Sequence, residues 1–197
     1  MENNKELLIA TSNAGKVKEF NKIFKNHKLF SLTDLGIKDP VEDGDSFLEN
    51  ALIKAKHGAM ISKKFTIADD SGLVVPGLDF EPGIYSARYA GDRSTDKDNR
   101  DKIIKKLNEL NLKELDAYYV CVLVGIRNYL DPMPIITQGK INGKVSIESS
   151  GDGGFGYDKI FYPLNYDCSM ASLGDDIKNK ISHRGVASEK FIKIYNS

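Results

Sequence analysis

The chain has 197 residues, enough for one sizeable core, and no stretch reads as a linker, so a single domain, two-lobed at most, is expected. Its 28 Lys+Arg balance 28 Asp+Glu, which removes any global field for holding nucleic acid or an anionic membrane and leaves charge recognition to local clusters. Two cysteines argue against a disulfide framework: Cys121 sits in the apolar run Val120–Val124 as a buried thiol, Cys168 in a polar loop, and CxxC metal spacing is absent.

The charged opening Met1-Glu2-Asn3-Asn4-Lys5-Glu6 leads into a short apolar run, Leu7 to Ala10, too few residues for a signal sequence or a spanning helix. A soluble, cytoplasmic protein is expected, with neither nucleic acid nor membrane as partner. That run ends in Thr11-Ser12-Asn13-Ala14-Gly15, after which Val17, Phe20 and Phe24 recur with helical spacing: strand, small-residue turn, amphipathic helix. Phe47 to about Ile61 predicts a second helix, with Phe47, Ala51, Leu52, Ala55 and Ala59 on one face. Phe65-Thr66-Ile67-Ala68 reads as a strand ending at Asp69-Asp70-Ser71-Gly72. Thr95-x-x-Asp98 resembles a capping box before Ile103, Ile104, Leu107 and Leu110.

Tyr118 to Ile126 is β-branched and apolar, as a central strand covered on both faces would be. Asn142-Gly143 reads as a hairpin turn between Gly139–Ile141 and Lys144–Ile147. A short helical stretch around Asp175 to Ile181 precedes Ser182-His183-Arg184-Gly185 and a terminal helix carrying Ala187, Phe191 and Ile194. This order mixes βα units with an antiparallel pair, so the fold class is α/β with a mixed, twisted sheet.

Chemistry concentrates in four places. Small hydroxyl and amide residues followed by Gly15-Lys16 at a helix start offer backbone N–H groups and a cation, which suits phosphate; the segment equally suits an ordinary turn capped by Thr11 or Asn13. It is not a Walker A loop, because Ala10 stands where Gly and Val17 where Ser or Thr would be required. Asp69-Asp70 places two carboxylates side by side at a strand end, where a cation would relieve their repulsion, and Glu42 with Asp70 matches the one or two carboxylates that Mg²⁺ prefers. The alternatives are a solvated loop for Glu42–Asp45 and a cap or turn for Asp69–Gly72. Gly151-Asp152-Gly153-Gly154-Phe155-Gly156-Tyr157-Asp158 interleaves glycines with aromatics, so backbone can approach a ligand on which Phe155 stacks. Lys178, His183 and Arg184 are cations or donors flanking a helix end, and each alone also fits a surface or capping role. Asn50 and Lys54 share a helix face, as a mutual pair or as a ligand-facing edge. His27 and His57 read as structural or exposed.

Six motifs in order, Thr11–Lys16; Glu42-Asp43-Gly44 with Phe47-x-Glu49-Asn50-Ala51-x-x-Lys54-Ala55; Ala68–Leu73; Pro82-Gly83-x-Tyr85-Ser86-Ala87-Arg88; Gly153–Asp158; and Ser182–Gly185, resemble the inosine/xanthosine triphosphate pyrophosphatase family over nearly the whole chain. The resemblance implies a two-lobed α/β fold with an elongated mixed sheet flanked by helices, a homodimer, and Mg²⁺-dependent release of pyrophosphate from ITP, dITP and XTP. It makes Asp70 the catalytic carboxylate and a metal ligand, with Glu42 as its companion. It turns Thr11, Ser12, Asn13, Ala14, Gly15, Lys16, Lys54 and Lys178 toward the triphosphate, and lets Ser71, Phe155, Gly156, Tyr157, Asp158, His183 and Arg184 complete the nucleotide site. Water would attack the α-phosphorus with Asp70 taking a proton, and donors near Tyr157, His183 or Arg184 would favour a 6-keto base over adenine. The sequence departs from the family at Leu78-Asp79-Phe80-Glu81-Pro82-Gly83, where Leu-Gly-Gly-x-Pro-Gly is usual, and at Lys159, where proline is common.

Overall fold

The computed structural model describes residues 6–197; the charged segment Met1–Lys5 lies outside the described residues. In chain order the elements are β1 (Glu6–Ile9), α1 (Ala14–Ile23), β2 (Lys28–Ser31), α2 (Phe47–Ser62), β3 (Phe65–Val74), α3 (Asp96–Glu109), β4 (Glu114–Ile126), β5 (Ile135–Ser146), β6 (Phe161–Pro163), α4 (Asp175–Ile181) and α5 (His183–Tyr195). The strands form one six-stranded sheet in the order β2-β1-β3-β4-β5-β6. It is mixed: β1 pairs in parallel with β2 and β3, and β5 pairs antiparallel with β6. No described helix is long and apolar enough to cross a membrane.

Helix starts follow local chemistry. Asn13 caps α1 by accepting from Lys16 N, Ser46 caps α2 by accepting from Glu49 N, and Thr95 with Asp98 completes the expected capping box of α3.

The chain divides into two compact units. The first runs to Asp70, resumes over Cys121–Gly139 and closes with Gly185–Ser197; the second comprises Ser71–Val120 and Lys140–Arg184. In the first unit the two-residue period of the strands sorts apolar side chains onto opposite faces of the sheet. Leu8, Ala10, Ala68, Val122 and Val124 pack with Ala51, Ala55 and Ala59 of α2. Leu7, Ile9, Ile67, Cys121 and Leu123 pack with Phe20 and Phe24 of α1 and Phe191 of α5. The alanine face lets α2 lie close to the sheet: a Cβ on Gly58 would stand 2.9 Å from Leu8 Cδ2 and 3.0 Å from Thr66 Cγ2. The second unit has its own core, in which Leu73, Val75, Ile103, Leu107, Tyr119, Tyr157, Ile160 and Phe161 are buried together.

The terminal helix is present and carries Ala187 and Phe191 buried, Ile194 exposed. Two expectations are corrected. The strand begun at Phe65 does not stop at Ala68; β3 carries Asp69 and Asp70 in its interior and continues to Val74. Asn142-Gly143 is not a turn, because both residues lie within β5, where Gly143 pairs with Pro163 of β6. A side chain on Gly143 would run into the Tyr162 carbonyl and lie 2.7 Å from Phe161 Cζ; the glycine is there for close approach of a neighbouring strand.

Gly143→Ala should therefore cost about 1–3 kcal/mol, the range for overpacking a filled site. Asn142→Ala, at an exposed strand position, should stay within about 0.5 kcal/mol. Chemical denaturation of both variants checks this, and the opposite ranking would restore the hairpin reading.

Candidate active site

Side chains singled out in the sequence gather into two clusters, one in each unit. In the first, Lys54 Nζ lies 2.8 Å from Asp70 Oδ1 and 2.9 Å from Glu42 Oε2, and Lys16 Nζ lies 3.0 Å from Asp69 Oδ2. α2 supplies Lys54 because its alanine face rests on the sheet beside β3. One turn earlier, Asn50 Oδ1 accepts from Gly44 N at 2.9 Å and fixes the loop that carries Glu42. Asn50 and Lys54 thus share a helix face to hold one acidic loop, rather than to bond each other.

The cluster is dry. The Lys54 side chain is 5% exposed and that of Asp70 10%. Burial pushes the Asp70 carboxyl above the ordinary aspartate value, against the pull of Lys54 and Lys16. For Lys54, burial acts to lower the ammonium's pKa, but the charges of Asp70, Asp69 and Glu42 prevail and hold it above the ordinary lysine value. Asp70 Oδ2 is buried, and no hydrogen-bond donor reaches it among the described residues. A carboxylate oxygen in that position has spare acceptor capacity for a cation or a water proton. Among the described residues no three His, Cys, Asp or Glu side chains form a cage for a metal ion; a pair of carboxylates is what Mg²⁺ takes from a protein when substrate phosphates and water supply the rest.

The Thr11–Lys16 turn is partly committed to itself. Thr11 Oγ1 accepts from Asn13 N at 3.2 Å and Asn13 Oδ1 accepts from Lys16 N at 3.0 Å, so Asn13, not Thr11, is the cap. Ser12, Asn13 and Ala14 are exposed and Gly15 half-buried.

In the second unit Lys178 Nζ donates to Asp158 Oδ2 at 2.8 Å, and Phe155 N donates to the same oxygen at 3.0 Å. The Phe155 ring has Lys178 Nζ 4.9 Å and Arg184 Cζ 5.8 Å from its centroid. Arg184 is buried, and its Nη2 donates to Ser71 Oγ at 2.9 Å. His183 stacks on Tyr119 with centroids 4.7 Å apart and planes 6° from parallel. Gly154 is held at a φ of 70°, and a side chain there would strike the Asp158 carboxylate. The Tyr157 hydroxyl donates inward to Ser86 O at 2.7 Å, with burial driving its pKa upward. The sequence reading missed Tyr119, Asp96 and Arg100. Tyr119 looked like core, and the only hint for the other pair was the capping box, which fixes the start of α3 and so places them one turn apart on one face.

The mixed α/β architecture recurs among solved structures. The Ham1 protein from Coxiella burnetii superposes with a TM-score of 0.89 at 35% identity, covering 98% of each chain. The Staphylococcus aureus Ham1 protein does so with 0.82 at 36%, covering 97% of each. The sequence model of the Ham1 family matches residues 7–194, and the dITP/XTP pyrophosphatase of Legionella pneumophila (strain Paris) is 46% identical over 183 residues, 93% of this chain and 94% of that one. This chain belongs to the Ham1 family, in agreement with the resemblance carried by the six motifs.

Replacing Lys54 by Met would leave Asp70 and Glu42 without their shared cation. We predict a loss of roughly 3–5 kcal/mol, as for breaking one side of a buried pair, measured by urea denaturation; a loss under about 1 kcal/mol would mean that the cluster is effectively solvated.

Proposed function

We propose that this protein hydrolyses the non-standard purine triphosphates dITP, XTP and ITP to monophosphate and pyrophosphate, with Mg²⁺ as cofactor, and so clears them from the cytoplasmic nucleotide pool. The observation that carries the reading is the Glu42–Lys54–Asp70 cluster with its buried, unsatisfied Asp70 oxygen. Family membership supports it, as does similarity to dITP/XTP pyrophosphatases such as the Legionella protein. The whole chain is read as one catalytic domain.

Glu42 and Asp70 are the residues that would hold the metal: hard oxygens, two in number, brought within reach of one ammonium. Bound there, the ion would neutralise charge on the phosphate oxygens. Asp70 takes the proton of the water that attacks the α-phosphorus, the bond from that phosphorus to the α,β-bridging oxygen breaks, and pyrophosphate leaves. Lys16, Lys54 and Lys178 offset its charge, together with the amides of Thr11, Ser12, Asn13, Ala14 and Gly15. Phe155 stacks on the base, Gly156, Tyr157 and Asp158 shape the loop around it, and Ser71 holds Arg184. His183 and Arg184 offer donors to a 6-keto oxygen; against adenine, whose 6-amino group is itself a donor, such groups go unpaired at a cost of about 1–3 kcal/mol each.

A panel of dITP, XTP, ITP, ATP and dCTP, followed by pyrophosphate release with and without Mg²⁺, tests the reading. We expect turnover of the first three only, dependent on the ion, and its abolition by Asp70→Asn with nucleotide binding retained. Turnover at the unmodified rate in that variant would sink the assignment of Asp70, and preference for dCTP would move the protein to another substrate class.

A homodimer is part of the same proposal. Phe80 is 62% and Tyr85 56% exposed, and Phe80 sits at a φ of 66°, next to Asp79 at 53°. Holding a bulky side chain in the left-handed region costs roughly 1–2 kcal/mol, which contact with a second copy would offset. Phe80→Gly should shift sedimentation toward monomer without lowering the melting temperature; an unchanged dimer would remove Phe80 from the interface.

A further inference from the structure

The loop that presents Phe155 is held in place by side chains outside it. Gly154 and Gly156 lie at φ of 70° and 60°, and a glycine-dense loop has many conformations of similar energy. Here three successive backbone N–H groups each meet a side-chain oxygen. Phe155 N donates to Asp158 Oδ2 at 3.0 Å, Gly156 N to Asp96 Oδ2 at 2.7 Å, and Tyr157 N to Tyr119 Oη at 3.1 Å. The Gly156 carbonyl accepts from Arg100 Nη1 at 2.7 Å. The peptide joining Gly156 to Tyr157 is therefore gripped at both ends, at its oxygen by Arg100 and at its N–H by Tyr119.

The grips come from rigid elements. Asp96 and Arg100 stand one turn apart on α3, whose first turn the Thr95–Asp98 capping box locks. Tyr119 lies buried in β4 with its ring flat against His183. Its hydroxyl also bonds Asp158, whose carboxylate receives Lys178. The hydroxyl thus links loop backbone, Asp158 and, through the ring, His183.

We propose that Arg100 and Tyr119 are positioning residues that set the 154–158 loop in its base-receiving shape before substrate arrives, and so determine affinity for the base-bearing end of the triphosphate. The proposal rests on the reading that Phe155 stacks on the base. A loop ordered in advance contributes to affinity because its ordering entropy is not lost at binding. It does nothing for the chemical step, so its signature is in KM and not in kcat.

Two variants in the full chain test this: Tyr119→Phe, which keeps the ring on His183 and removes only the hydroxyl, and Arg100→Met, which keeps the stem and removes the donors. Each should raise KM for dITP about fivefold, the scale of one net hydrogen bond, with kcat within about twofold of wild type. Inhibition by inorganic tripolyphosphate, which has no base, should be unchanged. Amide hydrogen exchange over residues 154–157 of the free protein should quicken, with that of the β4 core unchanged. An unaltered KM, a tripolyphosphate inhibition constant that rises in step with KM, or unaltered loop exchange would each overturn the proposal. If the unmodified protein releases no pyrophosphate from dITP, XTP or ITP, the functional reading fails by itself, and loop exchange alone then decides whether the grip exists.

Discussion

Two adjacent carboxylates buried in the middle of a strand are the constraint on which the first unit depends. Each is met at hydrogen-bond distance by one ammonium, and the charges cross-act, Lys16 on Asp70 and Lys54 on Asp69 as well. Lys16, on the helix that packs with Phe20 and Phe24, serves Asp69. Lys54, on the helix that packs through its alanines, serves Asp70. An unpaired buried charge would cost several kcal/mol, so both helices are tied to the sheet by charge as well as by apolar burial. Burial, Glu42 beside Asp70, and an Asp70 oxygen that no donor meets among the described residues add to the need for a cation.

The second unit meets a different requirement, which is to give a glycine-dense loop one conformation. Backbone strain at Gly154 and Gly156 is avoided by the residue type, and conformational freedom is limited by hydrogen bonds from side chains far away in sequence. Phe155, flanked by Lys178 and Arg184, can then stay half-buried yet oriented. The Tyr157 hydroxyl of the same loop turns inward to Ser86.

The departures from the family pattern divide by their consequences. Asp79 and Phe80 occupy the places where glycines are usual, and both have positive φ, at a cost in strain that glycine would not carry. Lys159, in place of proline, comes within 3.9 Å of Asp152 in a loose, exposed pair, too weak to direct the loop.

What the sequence determined by itself is whatever depends on nearby residues. The caps at Asn13 and Thr95, the apolar faces of α1 and α2 and the order of the six motifs were legible because their partners lie within a few positions. Where the sequence misled, local signals competed with distant neighbours. Asn142-Gly143 carries the composition of a turn, yet the strand β6, twenty residues on, needs the missing Cβ at Gly143. Asp69-Asp70 looks like the end of a strand, yet ammonium groups from two separate helices let the strand continue. Tyr119, Asp96 and Arg100 were not singled out, since each acts on a backbone 38 to 60 positions away. Only the tertiary structure decides such cases, because hydrogen bonds and ion pairs between residues remote in the chain depend on distances that no local pattern encodes.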